Sequence, residues 1–173
     1  MVVGKPIFTV EQIQNKVREL ADMISRDYEG KDLLVIGILR GAFMFMTDLV
    51  RAIRVPLTVD FIVAASYVQT ETSGEVKVYC DARENVTGRD VLLVEDIADT
   101  GVTLNYLRER ILLKRPRSLR ICAFLNKQER RTVDVPLDYV GFEIPNEYVV
   151  GYGLDYDNKF RNLPYIAAFR KSV

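Results

Sequence analysis

The segment from residue 91 to 104, VLLVEDIADTGVTL, carries a dense group of side chains that could do chemistry. Glu95 and Asp96 follow four aliphatic residues, and Asp99 stands three places further on. Carboxylates of this kind accept hydrogen bonds from the vicinal hydroxyls of a sugar or help to hold a magnesium-bound ligand. The run from Thr100 to Thr103 adds hydroxyls, a glycine without a β-carbon and free backbone N–H groups, which together suit a phosphate monoester. The segment therefore predicts a binding turn for a sugar phosphate.

The same residue types also occur in a solvated turn followed by a helix N-cap. The turn matches neither the GxxxxGK[ST] nor the GxGxxG pattern of other phosphate-binding loops. Its specificity comes from the combination of two adjacent carboxylates, a third carboxylate and a hydroxyl-glycine-hydroxyl run, all placed directly after a buried strand. That combination favours a ligand site.

The sequence contains no histidine, which limits the chemistry that the protein can perform. Ser-His-Asp and Cys-His nucleophilic sites and an imidazole base are excluded, so proton transfer must use carboxylates, Lys, Tyr or water. Cys80 and Cys122 form no CxxC pair, which excludes a structural zinc site. The 24 basic and 24 acidic residues give a net charge of zero, so the field needed for general nucleic-acid binding is missing, although a local basic patch remains open.

The length and composition are those of one globular domain. The chain has 173 residues, of which 49% are hydrophobic. A chain of this length buries roughly 70% of its unfolded surface, so it needs no disulfides. The N-terminal residues lack the apolar run of a signal peptide, and no segment reaches the ~18 consecutive apolar residues of a membrane span. We therefore expect a soluble, cytoplasmic protein without membrane partners.

Apolar periodicity predicts alternating helices and strands. Thr9 and Gln12 form a capping box that begins a helix running to residue 29. The continuous apolar run Leu33–Leu39 is typical of a strand buried on both faces of a parallel sheet. The remaining predicted elements are helices ending at Arg54 and spanning Thr103–Lys114, a mobile loop from Ser66 to Gly74, and strands at Leu57–Ala64, Val76–Cys80, Val91–Val94, Leu119–Leu125, Tyr139–Phe142, Tyr148–Val150 and Leu163–Phe169.

This alternation predicts a doubly wound α/β parallel sheet, which binds ligands at the carboxyl ends of its strands. Three loops at such ends carry the candidate residues: Leu39-Arg40-Gly41, Glu95 to Thr103, and the segment after Leu125. Between the first loop and Arg54, the apolar residues Phe43, Phe45 and Met46 suit the core, an interface between subunits, or both.

The Glu95–Thr103 segment resembles the phosphoribosyl-pyrophosphate signature of type I phosphoribosyltransferases. Leu39-Arg40-Gly41, Ser66-Tyr67, Lys127 and above all the block Gly141 to Tyr165 look like the hypoxanthine-guanine phosphoribosyltransferases. The resemblance implies a type I phosphoribosyltransferase-like sheet as core, roughly residues 30–140. It also implies a small hood formed by the N-terminal segment and roughly residues 141–173.

The resemblance also implies roles for the residues of the turn. Glu95 and Asp96 would bind the ribose hydroxyls, and Asp99 would be the general acid/base at N7 of a purine. The 5′-phosphate would be held by Thr100, Gly101, Val102 and Thr103.

Further roles are implied for residues outside the turn. Pyrophosphate would be bound by Leu39, Arg40 and Gly41, with a cis Leu39-Arg40 bond, and by Arg161. The purine would meet Lys127 at its 6-oxo group, the stacked ring of Tyr148 and the backbone of Val149. Ser66 and Tyr67 would lie in a flexible loop that closes over the site. Magnesium would be held by Glu95, Asp96 and Asp155, largely through substrate and water.

The implied function is magnesium-dependent transfer of a phosphoribosyl group to hypoxanthine and/or guanine in purine salvage, by a homo-oligomer that is a dimer or tetramer. Two alternatives remain. One is an RNA-binding regulator on the same fold, for which the sequence offers a basic cluster formed by Arg108, Arg110, Lys114, Arg115, Arg117 and Arg120. The other is a transferase for adenine or a pyrimidine, which Lys127 and the terminal block oppose.

Overall fold

The chain forms two sheets flanked by helices, in a computed structural model that describes residues 2–69 and 72–170. The elements in these ranges are β1 (Val2–Phe8), α1 (Val10–Asp27), β2 (Leu33–Leu39), α2 (Phe43–Ala52), β3 (Leu57–Gln69), β4 (Thr72–Cys80), β5 (Asp90–Ala98), α3 (Val102–Leu112), β6 (Ser118–Asn126), a 3₁₀ turn (Gln128–Arg130), β7 (Tyr139–Glu143), β8 (Val149–Val150) and β9 (Ile166–Arg170).

The larger sheet has the order β4-β3-β2-β5-β6-β7. All neighbours in it are parallel except β3 and β4, which pair antiparallel. Strand β2 alternates between two cores: Leu33 and Val35 pack with residues of α1 and α2, whereas Leu34 and Ile36 pack with residues of α3. Helices therefore cover both faces, which confirms the predicted doubly wound arrangement.

Helix α1 begins where the sequence predicted. The Thr9 side chain accepts a hydrogen bond from the Gln12 backbone N–H, and the Gln12 side chain accepts one from the Thr9 N–H. The helix ends at Asp27, two residues earlier than predicted. Helix α2 begins at Phe43, directly after the Leu39-Arg40-Gly41 loop. In it Phe45 and Met46 are buried in the core, whereas Phe43 stays partly exposed.

The loop predicted from Ser66 to Gly74 is wrong for most of its length. Strand β3 runs to Gln69 and β4 starts at Thr72, and Ser66 pairs with Val76 across the two strands. Polar composition suggested a loop, but antiparallel pairing satisfies backbone donors and acceptors whatever the side chains are. Thr70 and Glu71 lie outside the described residues, and a closing motion stays a prediction.

A second, three-stranded sheet has the order β1-β9-β8 and is antiparallel. Strand β1 was not predicted, because its short apolar pieces are interrupted by Gly4 and Pro6. The sheet joins the N-terminal segment to the C-terminal one, in the parts of the chain assigned to the hood. Strand β7, at the predicted division near residue 141, pairs with β6 of the larger sheet. The division into core and hood stays a prediction.

The described helices include none that is long and apolar enough to span a membrane.

Candidate active site

A cavity of about 550 Å³ opens at the carboxyl ends of β2 and β5. It is the place where a doubly wound sheet binds its ligands. The cavity brings together two of the three segments that the sequence singled out, and the Leu39–Arg40 peptide bond in the first of them is cis, as expected. In the second segment the predicted loop is wrong for Glu95 to Ala98, because pairing with β6 continues β5 to Ala98. Its described lining includes Leu39, Arg40, Gly41, Glu95, Asp96, Asp99, Thr100, Gly101, Val102, Thr103 and, unpredicted, Arg130.

Glu95 and Asp96 form a buried acidic pair at the cavity wall. The Asp96 backbone N–H donates to Glu95 Oε1 at 3.2 Å, and the Ile97 N–H donates to Asp96 Oδ1 at 2.8 Å. Burial, reinforced by the charge of Asp96, raises the pKa of Glu95 well above its usual value. Burial also raises the pKa of Asp96, against the opposing influence of Arg161. Two adjacent carboxylates with raised pKa values indicate a site that gains stability when hydroxyl donors or a cation arrive.

Two glycines allow the loops around this pair to approach closely. A β-carbon on Gly41 would lie 1.7 Å from Asp96 Oδ2, and one on Gly153 would lie 2.1 Å from the Gly41 carbonyl oxygen. Both distances are far inside van der Waals contact. The chain after β8 therefore packs on the Arg40-Gly41 loop, which in turn packs on Asp96.

The turn between β5 and α3 has the properties of an anion-binding turn. Gly101 occupies the N-cap of α3 with φ 85°, a left-handed conformation, and no side chain caps the helix. The Val102 N–H donates weakly to Thr100 Oγ1 at 3.4 Å. Because the first turn of an α-helix has backbone N–H groups without intrahelical partners, this end of α3 offers donors to a phosphate.

Asp99 presents two carboxylate oxygens in different environments. Oδ2 accepts a hydrogen bond from Arg130 Nη1 at 3.3 Å. Oδ1 is buried and accepts no hydrogen bond from the residues that the structure describes. A buried carboxylate oxygen without a donor is unfavourable. A ligand donor that reached Asp99 Oδ1 would remove this cost.

Lys127 follows β6 and lies beside Asp99. Its backbone N–H donates to the Ala98 carbonyl at 3.0 Å, and the residue is only 4% exposed. Burial lowers the pKa of Lys127, while the Asp99 carboxylate raises it and the charge of Arg130 lowers it. Within the described ranges its ammonium group forms no hydrogen bond or ion pair, so it is free to donate to a ligand.

The segment that holds the turn in place was not predicted from the sequence. Arg131 donates through Nε to the Asp99 carbonyl at 3.1 Å and through Nη2 to the Ala98 carbonyl at 3.3 Å. The Thr132 and Val133 N–H groups both donate to the Thr100 carbonyl, at 2.9 and 3.0 Å. The sequence did contain a signal for it, because two consecutive arginines, Arg130 and Arg131, follow Lys127 and could pair with the acidic turn.

The residues predicted after β7 lie in a neighbouring cluster. Tyr148 is half exposed, and its hydroxyl donates to the Asp155 carbonyl at 2.9 Å. Arg161 pairs with Asp155 at 2.6 Å and donates to the Gly153 carbonyl at 2.7 Å. Val149 is buried in β8. None of these is in the described lining of the cavity. Two contacts connect the cluster to the cavity: the charge of Arg161 lowers the pKa of Asp96, and Gly153 packs on Gly41.

Ser66 and Tyr67 belong to β3, and the positions of their side chains lie outside the described part of the chain.

The acidic residues fit a cation that brings most of its own ligands. Among the described residues no group of three or more carboxylate, cysteine or histidine side chains could hold a metal ion. Glu95 and Asp96 supply two carboxylates at the cavity wall. Since Mg²⁺ is commonly bound by one or two carboxylates together with water and substrate phosphates, the pair suits a substrate-borne magnesium ion.

The chain is similar to known proteins over nearly its whole length. The family model described as "phosphoribosyl transferase domain" matches residues 7–157. A hypoxanthine-guanine phosphoribosyltransferase of Streptococcus thermophilus is 42% identical over 172 residues, which cover 99% of this chain and 96% of the relative. One of Mycobacterium bovis is 46% identical over 174 residues, covering 96% and 86%. A crystal structure of a hypoxanthine-guanine phosphoribosyltransferase from Bacillus anthracis is 47% identical, with TM-score 0.93 and coverage of 98% and 100%.

Proposed function

The chain belongs to the phosphoribosyl transferase family, among its hypoxanthine-guanine phosphoribosyltransferases, and we propose that it transfers the 5-phosphoribosyl group of phosphoribosyl pyrophosphate to a 6-oxopurine. The products are the purine nucleoside monophosphate and pyrophosphate, as in purine salvage. The observation that carries this proposal is one cavity lined by the acidic pair, the uncapped start of α3 and Asp99, whose Oδ1 has no donor among the described residues.

We infer a partner for each part of phosphoribosyl pyrophosphate from the residues of this cavity and its surroundings. The 5′-phosphate accepts hydrogen bonds from the N–H groups of the turn from Thr100 to Thr103 and from the two threonine hydroxyls. Glu95 and Asp96 accept from the ribose hydroxyls. The pyrophosphate lies against the Leu39-Arg40-Gly41 loop. The positive charge of Arg161, which lowers the pKa of Asp96, also attracts the pyrophosphate.

Magnesium is the cofactor that we propose for this reaction. When bound with the pyrophosphate, it would supply positive charge that stabilises the leaving group. Glu95 and Asp96 would hold it together with substrate and water, and Asp155, which is oriented by Arg161 and by the Asn158 N–H at 2.8 Å, would support a second ion through water. Arg161 balances the negative charge that these groups share.

The purine lies between Asp99, Lys127 and Tyr148. The Lys127 ammonium donates to the 6-oxo group, because it has donors and no acceptor. The ring of Tyr148 stacks on the base, and the Val149 backbone meets its edge.

The reaction exchanges one bond at C1′ of the ribose for another. The bond from C1′ to the pyrophosphate oxygen breaks, and the bond from C1′ to N9 forms. The proton that the base loses passes from N7 to Asp99. The transition state is oxocarbenium-like, so the residues act by positioning the two substrates and need no covalent nucleophile.

The basic cluster near α3 and β6 gives little support to RNA binding. Its side chains are mostly paired with carboxylates, which reduces the free positive charge available to a phosphate backbone. The pairs are Arg108 with Glu109, Arg110 and Lys114 with Asp81, Arg117 with Asp90, and Arg120 with Asp27.

The proposal extends to a cytoplasmic homo-oligomer, a dimer or tetramer. The partly exposed aromatic side chains of Phe43 and Phe61 supply apolar surface that a second subunit would cover.

The proposed function is tested by incubating the protein with Mg²⁺, phosphoribosyl pyrophosphate and each purine in turn while pyrophosphate release is measured. Release with hypoxanthine or guanine supports the proposal. Absence of release with every 6-oxopurine contradicts it.

A further inference from the structure

Arg130 is a residue of the cavity wall to which the resemblance assigned no role. It ends the 3₁₀ turn Gln128–Arg130, and its backbone N–H donates to the Lys127 carbonyl at 3.2 Å. One short turn thus places Arg130 in the cavity wall, close to Lys127. Its guanidinium reaches across to Asp99 Oδ2 at 3.3 Å.

The two oxygens of Asp99 are divided by this contact. Oδ2 is occupied by Arg130, and Oδ1 is buried without a donor from the described residues. The main chain at Asp99 is fixed as well, because Arg131 donates hydrogen bonds to the carbonyl oxygens of Ala98 and Asp99. A carboxylate held at its backbone and at one oxygen can present the other oxygen in one direction only.

The same contact affects Lys127. The Asp99 carboxylate attracts the Lys127 ammonium, whereas the positive charge of Arg130 repels it. Without Arg130, the Asp99 carboxylate would draw the ammonium towards itself. An ammonium paired with Asp99 would have fewer donors for a ligand oxygen.

We propose that Arg130 is a positioning residue of the transfer reaction: it holds Asp99 through Oδ2, reserves Oδ1 for the purine N7 proton and leaves Lys127 free for the 6-oxo group. The inference rests on the proposed function, since it assigns Arg130 an effect that passes through the purine-binding groups. Arg130 does not itself exchange the proton.

The experiment compares Arg130→Met with Arg130→Lys, which keeps a cation, in steady-state assays with hypoxanthine. Arg54→Met is the matched control, because Arg54 forms an exposed pair with Asp22 outside the described cavity lining. Loss of a charge-assisted hydrogen bond predicts about a tenfold lower kcat/KM for Arg130→Met, and the Lys variant recovers most of it. Arg54→Met keeps wild-type activity. The Kd of phosphoribosyl pyrophosphate, measured by calorimetry with Mg²⁺ and no purine, stays unchanged in Arg130→Met.

A double-mutant cycle with Asp99→Asn tests whether Arg130 works through Asp99. Asp99→Asn alone should lower kcat by ~10²–10⁴. The double variant should then lose no more than Asp99→Asn loses alone. Losses that multiply, full activity of Arg130→Met, or weakened phosphoribosyl pyrophosphate binding in that variant would overturn the inference and leave the proposed function standing. Near-normal turnover of Asp99→Asn would instead remove the proposed acid/base role, and the Arg130 inference with it.

Discussion

Asp96 occupies the space that a side chain on residue 41 would need: its Oδ2 lies 1.7 Å from the position of a β-carbon on Gly41. Gly41 lies in the loop after β2, and Asp96 lies near the carboxyl end of β5, the parallel neighbour of β2 in the larger sheet. The loop proposed to bind pyrophosphate and the acidic pair proposed to bind ribose therefore cannot be placed independently.

Gly41→Ala should damage the site through this contact. The added methyl group must displace Asp96 or the loop, and overpacking of this kind costs about 1–3 kcal/mol of stability. A displacement of ~1 Å at a reacting group predicts a loss of about 10²-fold in kcat/KM for phosphoribosyl pyrophosphate. Gly30→Ala is the control, because Gly30 has a positive φ and open space around it. It should lower the melting temperature and keep wild-type kinetics; equal kinetics of the two variants would refute the steric account.

Glu95→Gln should stabilise the substrate-free protein at neutral and alkaline pH. Because burial raises the pKa of Glu95 in the folded state, folding favours the protonated form. The folded wild type therefore loses stability as the pH rises from the ordinary pKa of the glutamate through the raised one. The free energy of unfolding, measured with urea from pH 4 to pH 8, should fall in the wild type relative to Glu95→Gln. The same pH dependence in both proteins would contradict a raised pKa of the buried Glu95. Glu147→Gln is the control, because Glu147 is exposed.

Magnesium should bind weakly to the free protein and strongly in the presence of phosphoribosyl pyrophosphate. The described residues offer the pair Glu95 and Asp96 and no cluster of three ligands. Calorimetry with Mg²⁺ should show little heat until substrate is added, and EDTA should abolish turnover. Tight stoichiometric binding of Mg²⁺ to the substrate-free protein would be inconsistent with a substrate-borne ion.

Tyr148 should act through its ring more than through its hydroxyl. Tyr148→Phe loses the bond to the Asp155 carbonyl, worth about 1 kcal/mol, and should change kcat/KM for hypoxanthine by less than about fivefold. Tyr148→Ala loses base stacking worth about 1–3 kcal/mol and should raise the KM for hypoxanthine by about tenfold or more. Exposed Tyr106→Ala is the control. A larger effect from Tyr148→Phe than from Tyr148→Ala would contradict the stacking role.

The parts of the molecule that could be predicted are those that local patterns determine. The continuous aliphatic runs of β2 and β5 identify buried parallel strands, and the carboxyl ends of such strands place Gly41 and Asp99 in one cavity. The Thr9 capping box likewise located the start of α1.

The rest depended on contacts between distant segments. The hairpin of β3 and β4 is set by cross-strand pairing, which the polar residues between Ser66 and Gly74 concealed. The role of Arg130 depends on a 3₁₀ turn that brings it to Asp99, 31 positions earlier in the chain. No local pattern shows that pairing, although two arginines shortly after Lys127 were visible.

The proposed selection of a 6-oxopurine by Lys127 is tested most directly by the ratio of kcat/KM for hypoxanthine to that for adenine. The ammonium cannot accept a hydrogen bond from a 6-amino group, so the wild type should prefer hypoxanthine by as much as ~10⁴. Lys127→Met, which keeps the buried volume, should lower kcat/KM for hypoxanthine and collapse the ratio. Comparable use of adenine by the wild type, or an unchanged ratio in Lys127→Met, would contradict the account.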